Sequence, residues 1–436
     1  MTGLIMAAQL ILGLSIIVIL HELGHFLAAR AFGIRVEKFF LFFDAWGFKF
    51  FSFKKGDTEY GVGWLPLGGY VKIAGMIDES MDKEAMKQPP QPWEFRSKPA
   101  WQRLIVMLGG VIMNFILGVV IFAFITMHYE KEYLPPESLD TGIYAYELGR
   151  TAGFRSGDKI IAIDGEKVER YKDIVTPLHL MGSVFTVERN GTTVDIAIPD
   201  TFYLTLHKSH SLFIGPDNFA FSIDSILPEG NAGKAGLKKG DRIISAAGKK
   251  INVFGDFKEV ARTHKDSTIN IVYLRGDDTI ASVVAVDSFG YVGIKISEPP
   301  YKTSKYNLVQ GFEYGVKDGI SILTANVKGM GRIFTGEVKA TESLQGPIGI
   351  ANIYGGVWIW SKFWYLTGMI SFILAFMNLL PIPALDGGHV MFLTWEAVTR
   401  RKLSDSFMEK AQVVGMVLLI GLMLFAVFND FLNYIF

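Results

Sequence analysis

The chain has 436 residues, half of them hydrophobic, and its 43 basic residues balance its 43 acidic residues. A net charge of zero gives no indication of binding to nucleic acid, and the absence of cysteine excludes disulfides and thiolate metal ligands. The mean hydropathy of +0.29 is high for a soluble protein, so the sequence predicts a membrane protein with two or three domains.

Residues 1–34 predict a transmembrane helix that carries a polar motif. The stretch from Leu4 to Leu20 is almost entirely apolar, and residues 21–25 then read His-Glu-Leu-Gly-His. Because residues four apart share one face of a helix, His21 and His25 can hold one zinc ion, and Glu22 can take a proton from water beside it. A chance match is the alternative. It is disfavoured because ionisable side chains are costly inside a membrane and usually mark a functional site.

Basic residues predict the orientation of this helix. No lysine or arginine precedes Arg30, whereas Arg35 and Lys38 follow it closely. Since basic residues are in excess on the cytoplasmic side of membrane helices, the N-terminus is expected outside and Arg30 inside. His21 lies nine residues before Arg30, about 13 Å along a helix. The motif is therefore expected within the membrane, near its cytoplasmic face.

Residues 35–76 are rich in aromatic residues and glycine, which predicts strands rather than a long helix. Because they directly follow a membrane helix, we expect a membrane-associated β-hairpin region that touches the bilayer. An ordinary soluble hairpin is the alternative. Residues 77–99 are polar and predict a cytoplasmic loop.

Residues 100–128 predict a second transmembrane helix, which returns outward. The stretch from Leu104 to Met127 contains no charged residue, and Asn114 is its one strongly polar side chain. A single asparagine in a membrane helix usually hydrogen-bonds to a neighbouring helix. A position lining the functional site is the alternative.

An internal repeat follows the second helix. Residues 152–161 read AGFRSGDKII, and residues 235–244 read AGLKKGDRII. In each copy a Gly-Asp turn leads into a short β-branched strand, and this pattern resembles PDZ domains. The resemblance implies two tandem α+β modules, residues 129–215 and 216–298, that bind extended peptides by adding a strand to a sheet edge. Modules that bind no peptide and act only as steric filters are the alternative.

The C-terminal part of the chain predicts three further helical regions. Within residues 299–345, apolar residues recur at steps of three or four, which predicts an amphipathic helix on the outer membrane surface or packed on the rest of the protein. Residues 346–400 predict a third transmembrane helix. After the basic residues at 400–402, residues 401–436 predict a fourth that returns outward, so both termini are expected outside.

The third helix is interrupted inside the membrane. Residues 378–389 read NLLPIPALDGGH, in which Pro381 and Pro383 break a helix. Asp386 is a carboxylate at membrane depth that needs a partner, and a zinc ion held by only two histidines lacks a third protein ligand. Asp386 is therefore predicted to complete the site. His389 is an alternative ligand.

Three features together resemble the site-2 protease family of intramembrane zinc metalloproteases: the His-Glu-Leu-Gly-His motif, the tandem PDZ-like modules and the NLLPIPALDGG segment. The match covers essentially the whole chain in order and spacing. One departure is residues 110–115, GVIMNF, where family members often carry a proline after the glycine. That difference concerns a bend in the second helix and no catalytic residue.

The resemblance implies roles for particular residues. It makes His21, His25 and Asp386 the ligands of one zinc ion and Glu22 the catalytic base. It also implies two substrate-binding segments. These are Asn378 with Pro381 and Pro383, and the hairpin edge formed by Gly68, Gly69 and Tyr70 with the following valine.

The resemblance also implies a substrate and a location. The fold would be a multi-pass α-helical membrane protein with four transmembrane helices, a membrane-associated β-hairpin region and two inserted periplasmic PDZ domains, in the lipid bilayer of a bacterial inner membrane. The substrate would be a single-span protein of the anti-sigma factor type, already trimmed outside, or a remnant signal peptide. A membrane ion relay or transporter and a non-enzymatic PDZ scaffold are the alternatives, and neither accounts for all three motifs.

Overall fold

The computed structural model describes residues 2–66, 68–76, 89–130, 132–209, 211–228, 230–337, 341 and 345–434. It divides into two compact units. One comprises Met1–Lys131 and Tyr306–Phe436, and the other comprises Glu132–Lys305. Most of the predicted cytoplasmic loop, residues 77–88, lies outside the described residues.

The α-helices of the described residues are α1 (Thr2–Ala31), α2 (Ala100–His128), α3 (Glu147–Thr151), α4 (Phe202–Ser209), α5 (Asn231–Lys234), α6 (Phe254–Thr263), α7 (Leu308–Thr335), α8 (Pro347–Tyr354), α9 (Trp360–Leu379), α10 (Asp386–Thr399) and α11 (Asp405–Tyr434). Within the described part of the chain, four stretches are long and apolar enough to cross a membrane: Thr2–Ala31, Ala100–His128, Trp360–Leu379 and Ser406–Leu432. The prediction of four membrane helices is confirmed on those criteria.

Glycines bring the helices of the first unit close together. On α1, a Cβ at Gly24 would lie only 2.2 Å from the carbonyl oxygen of Gly109 on α2. On α7, a Cβ at Gly315 would lie 2.7 Å from the carbonyl oxygen of Val119 on α2. These backbones touch because glycine has no side chain. The amphipathic helix α7 thus packs its glycine face against α2.

Region 346–400 contains three helices rather than one. Helix α8 ends at Gly355, which has φ +85°. Helix α9 ends at Leu379, and the chain between it and α10 contains both prolines. Because a proline ring clashes with the preceding helical turn and lacks an N–H donor, α9 cannot continue and α10 starts afresh at Asp386.

The strands are β1 (Val36–Leu41), β2 (Lys49–Lys55), β3 (Thr58–Gly63), β4 (Tyr70–Ile73), β5 (Glu132–Tyr133), β6 (Tyr144–Ala145), β7 (Lys159–Ile163), β8 (Glu166–Lys167), β9 (Val184–Arg189), β10 (Thr192–Ala197), β11 (Ile214–Gly215), β12 (Ile223–Ile226), β13 (Arg242–Ala246), β14 (Lys249–Lys250), β15 (Thr268–Arg275), β16 (Asp278–Ala285), β17 (Ile294–Ile296) and β18 (Ser304–Lys305). Strands β1 to β4 belong to the first unit, and β5 to β18 belong to the second.

The predicted hairpin is part of a larger sheet, with strand order β2-β3-β1-β4. Strands β2 and β3 form the hairpin, but β1 pairs in parallel with β3 and antiparallel with β4. Strand β4 is therefore an edge strand. Strand β2 and the residues just before it carry strongly exposed aromatic side chains, among them Trp46, Phe48 and Phe50, at 84%, 69% and 75% exposure.

The second unit contains two sheets of the same form, β10-β9-β7-β8 and β14-β13-β15-β16. The repeated Gly-Asp turns have matching contacts. Asp158 bonds to Arg189, Asp241 bonds to Arg275, and both carboxylates are almost fully buried. Each sheet has its own hydrophobic core. The sequence repeat is thus a structural repeat, in which the buried aspartate pairs with an arginine from the third strand of its copy.

Candidate metal centre

Helix α1 directs His21 and His25 toward the same place, as their spacing predicts. The Nδ1 atom of His25 lies 2.8 Å from the carbonyl oxygen of Val106 on α2. Because a carbonyl oxygen can only accept, Nδ1 carries the proton and Nε2 is left with a lone pair. His25 is only 5% exposed. The contact with Val106 of α2 therefore fixes the orientation of a buried ring.

Asp386, the first residue of α10, joins the two histidines. Its Oδ2 atom lies 3.2 Å from Nε2 of His21 and 3.4 Å from Nε2 of His25. The two Nε2 atoms are 3.2 Å apart. The structure therefore brings Asp386 to two histidines that precede it by more than 300 positions in the sequence.

These three residues fit a zinc ion. Oδ2 of Asp386 is buried and has no hydrogen-bond donor among the described residues, and its neighbours are imidazole nitrogens. Lone pairs that face one another without a proton repel unless a cation lies between them. Two ligand atoms at tetrahedral positions, each about 2.0–2.1 Å from zinc, are about 3.3 Å apart. The observed separations of 3.2, 3.2 and 3.4 Å match that distance.

Two asparagines contact the His21 ring. Nδ2 of Asn114 lies 3.2 Å from Nδ1 of His21, and Nδ2 of Asn378 lies 3.5 Å from its Nε2. Oδ1 of Asn114 is buried with no partner among the described residues. Turning that amide by 180° lets Oδ1 accept the Nδ1 proton of His21, which leaves Nε2 as a lone pair, as in His25. The sequence left two roles open for Asn114, and the contact with His21 favours the role at the site.

Gly110 is a site residue that sequence reasoning missed. A Cβ on Gly110 would lie 2.4 Å from Nε2 of His25 and 2.5 Å from Cε1 of His21. Only glycine leaves room for both rings beside α2. The available signal was its spacing: Gly110 lies four residues before Asn114 and so shares its helix face.

A cavity of about 620 Å³ opens beside the three ligand atoms and is also lined by Glu22. Of the predicted substrate residues, Gly69, Tyr70 and Asn378 line this cavity, whereas Gly68, Pro381 and Pro383 are not among its lining residues. His389 lines the cavity but does not belong to the group of converging ligand atoms. Gln412 of α11, which the sequence did not single out, also lines it.

Strand β4 lies against Glu22. Val71 of this strand lines the same cavity as Glu22. A Cβ on Gly69, the residue before the strand, would lie 2.9 Å from Cγ1 of Val18 and 3.6 Å from Cγ of Glu22, so the chain approaches α1 closely there. Glu22 is thus a carboxylate in the same cavity as the three ligand atoms, where it can accept a proton from water.

Comparison with known proteins gives a consistent result over the whole chain. A model of Peptidase family M50 matches residues 9–422. The chain is 31% identical to "Putative zinc metalloprotease PM1991" of Pasteurella multocida, over 98% of each chain. It is 29% identical to "Metalloprotease MmpA" of Caulobacter vibrioides, over 99% of this chain and 96% of that protein. It is 27% identical to "Regulator of sigma-E protease RseP" of Escherichia coli, over 97% and 98% respectively.

Proposed function

The chain belongs to peptidase family M50, the site-2 protease family, and from that premise we propose that it is a zinc metalloprotease that cuts its substrate within the membrane. In this proposal His21, His25 and Asp386 hold one zinc ion, and Glu22 is the general base. The observation that carries the proposal is the convergence of three lone-pair atoms within 3.4 Å of one another beside the half-buried carboxylate of Glu22. Relatives whose names contain "zinc metalloprotease" support the choice of metal.

Glu22 has the position that the reaction requires. Bound at this site, zinc would supply Lewis acidity, which polarises a peptide carbonyl and makes water more acidic. Glu22 accepts the proton of the attacking water and returns it to the leaving amine. Glu22 lines the cavity beside the three ligand atoms, where Val71 of β4 also lies. The second carboxylate of the site, Asp386, holds the metal and transfers no proton.

The substrate must be unwound before it is cut, because a helix hides its carbonyls in its own hydrogen bonds. We propose that the substrate backbone pairs with the β4 edge at Gly68, Gly69 and Tyr70, which satisfies its freed backbone groups. Asn378 lines the cavity and can donate a hydrogen bond to a substrate carbonyl. In this proposal Pro381 and Pro383 keep the segment before Asp386 non-helical and so leave room for the substrate.

The name of one relative supports the substrate class. The Escherichia coli protein is named as a regulator of sigma E, and we propose a single-span membrane protein of the anti-sigma factor type, already shortened outside the membrane, with remnant signal peptides as a second class. From the distribution of basic residues we also propose that both termini and residues 132–305 lie in the periplasm, with the helices in a bacterial inner membrane. The two modules there would be PDZ domains that admit only shortened substrates.

Zinc analysis and a cleavage assay test this function. We expect about one zinc ion per wild-type chain in detergent, much less in His21→Ala and Asp386→Ala, and an unchanged content in His389→Ala. His128→Ala, a histidine of α2 outside the site, is the matched control. Glu22→Gln should retain zinc and stop cleavage of a single-span reporter. A zinc-free wild type, or a Glu22→Gln variant that still cleaves, would contradict the proposal.

A further inference from the structure

Three polar side chains form a closed group on the sheet wall of the cavity. Nζ of Lys38 lies 2.8 Å from Oδ2 of Asp44 and 3.1 Å from the hydroxyl of Tyr70. The Tyr70 hydroxyl donates to Oδ1 of Asp44 at 2.8 Å. Each member therefore bonds to both others. The group joins β1, the turn after it and β4.

The Tyr70 ring is also held by two aromatic side chains. It stacks on Phe40 with centroids 5.6 Å apart and planes 20° apart, and on Phe43 with centroids 5.9 Å apart and planes 6° apart. Aromatic contacts of this kind fix a ring in position. Asp44 then fixes the hydroxyl end. These contacts restrict the movement of the Tyr70 side chain.

Tyr70 lies between two residues that line the cavity beside Glu22. A Cβ on Gly69, the residue before it, would lie 2.9 Å from Val18 and 3.6 Å from Glu22, and Val71, the residue after it, lines the same cavity as Glu22. A displacement of Tyr70 moves both neighbours, because consecutive Cα atoms are 3.8 Å apart and cannot separate. The position of the β4 edge relative to Glu22 thus depends on where Tyr70 is held.

We propose that Lys38 and Asp44 are positioning residues that act through Tyr70: they hold the β4 edge at the distance from Glu22 that a paired substrate needs for cleavage. This inference rests on the proposed function. It assigns the Tyr70 side chain to the enzyme's own structure, whereas the backbone of the same residue faces the substrate. Catalysis is sensitive to such placement, because a misplacement of about 1 Å can cost on the order of 100-fold in rate.

The charges of the group support a positioning role over a binding role. One lysine and one aspartate cancel, so the group offers no net charge to a ligand. Burial alone would raise the pKa of Asp44. The hydrogen bonds from Lys38 and Tyr70 have the larger effect, so the pKa of Asp44 lies below its ordinary value. Asp44 is therefore ionised at neutral pH and accepts from both partners at once.

A double-mutant cycle tests the inference in the full-length protein. Asp44→Asn weakens the acceptor of the Tyr70 hydroxyl, and Tyr70→Phe removes the hydroxyl itself. Each is expected to lower kcat for a single-span reporter at least about tenfold, with little change in KM and zinc content. The kcat of the double variant should be no lower than that of the poorer single variant, since both changes affect the same hydrogen bond between Tyr70 and Asp44. Additive losses, or losses in KM alone, would indicate direct substrate contact and overturn the inference.

Glu37→Gln is the matched control, because Glu37 pairs with Lys72 at 3.2 Å across the same two strands without touching Tyr70. It should leave kcat unchanged. Hydrogen exchange of residues 68–76 supplies a readout that does not depend on catalysis. Exchange there should quicken at least tenfold in Asp44→Asn and Tyr70→Phe, roughly the loss of 1.4 kcal/mol of local stability, and stay unchanged in Glu37→Gln. Equal exchange in all four proteins contradicts the positioning role, whereas a wild type without zinc or cleavage contradicts the proposed function.

Discussion

The side-chain amide of Asn114 lies 3.2 Å from Nδ1 of His21, so α2 holds the first predicted metal ligand from the side opposite to the metal. The second histidine is held in the same way, by the carbonyl oxygen of Val106. Both contacts come from one helix, whose stretch from Leu104 to Met127 carries no charged residue. Helix α2 thus sets the orientation of both imidazoles, and Asp386 is brought to them by the break before α10.

Replacing Asn114 is expected to weaken zinc binding without removing a ligand. Asn114→Leu leaves His21 without an acceptor for its Nδ1 proton, and loss of such an outer partner typically costs about 10- to 100-fold in metal affinity. Asn114→Asp keeps an acceptor and should retain most of the affinity. Competition with a chromophoric chelator measures the difference. Equal affinity in the leucine and aspartate variants would contradict this role for Asn114.

Gly110→Ala is expected to abolish zinc binding and cleavage together. The added Cβ would overlap both imidazole rings, at 2.4 Å from His25 and 2.5 Å from His21, so the rings must leave their positions. Zinc content and cleavage of a single-span reporter measure the effect. Gly421→Ala on α11 is the matched control, because a Cβ there meets no atom within 4 Å. A Gly110→Ala protein with full zinc content would show that the helices can separate.

Much of the site could be predicted from the sequence because its signals are local. The four-residue spacing of His21 and His25 fixes their common face in any helix, and the prolines before Asp386 mark a break in an apolar segment. The Val106 carbonyl could not be predicted, and the spacing of Gly110 from Asn114 marks a shared helix face without showing which helix packs on it. Both roles depend on the contact of α1 with α2 at Gly24 and Gly109. The sequence pattern of neither helix predicts that contact.

The order of the strands in the sheet of β1 to β4 could not be predicted from the sequence either. Residues 56–57 form the turn of the β2–β3 hairpin, where Gly56 has φ +63°. Strand β1 nevertheless pairs on one side with β3 and on the other with β4. Those pairings are set by packing against α1 and by side chains such as Phe40, which is 1% exposed. Sequence periodicity does not encode which strands become neighbours.

Removing the Asp430 carboxylate is expected to destabilise the protein near the start of α8. Asp430 of α11 is 1% exposed and accepts hydrogen bonds from the backbone N–H groups of Gly346, Ile348 and Gly349, at 2.9, 2.8 and 3.0 Å. It thus caps a helix whose own N-cap is a glycine. Asp430→Ala should cost about 2 kcal/mol, seen as a lower Tm in detergent.

Two further variants make the Asp430 measurement decisive. Asp430→Asn keeps one acceptor oxygen and should fall between wild type and the alanine variant. Leu424→Ala, at a residue of α11 that is 60% exposed, should leave Tm nearly unchanged. A Tm for Asp430→Ala equal to that of Leu424→Ala would mean that water or another group replaces the carboxylate at the end of α8.

The stability of residues 132–305 is expected to fall in acid because of Asp241. Burial raises the pKa of this carboxyl, but hydrogen bonds from Arg275 and the Lys238 N–H outweigh it, and the net pKa lies below the ordinary 3.8. A depressed pKa stabilises the fold above 3.8, and that contribution is lost as pH falls through the lower, folded-state pKa. Urea unfolding of a 132–305 fragment, whose terminal strands β5 and β18 pair, should show this loss as the pH falls from about 5 to below 3.8. Asp241→Asn should be less stable at neutral pH and show a smaller acid loss, and an identical pH dependence in both proteins would contradict the assignment.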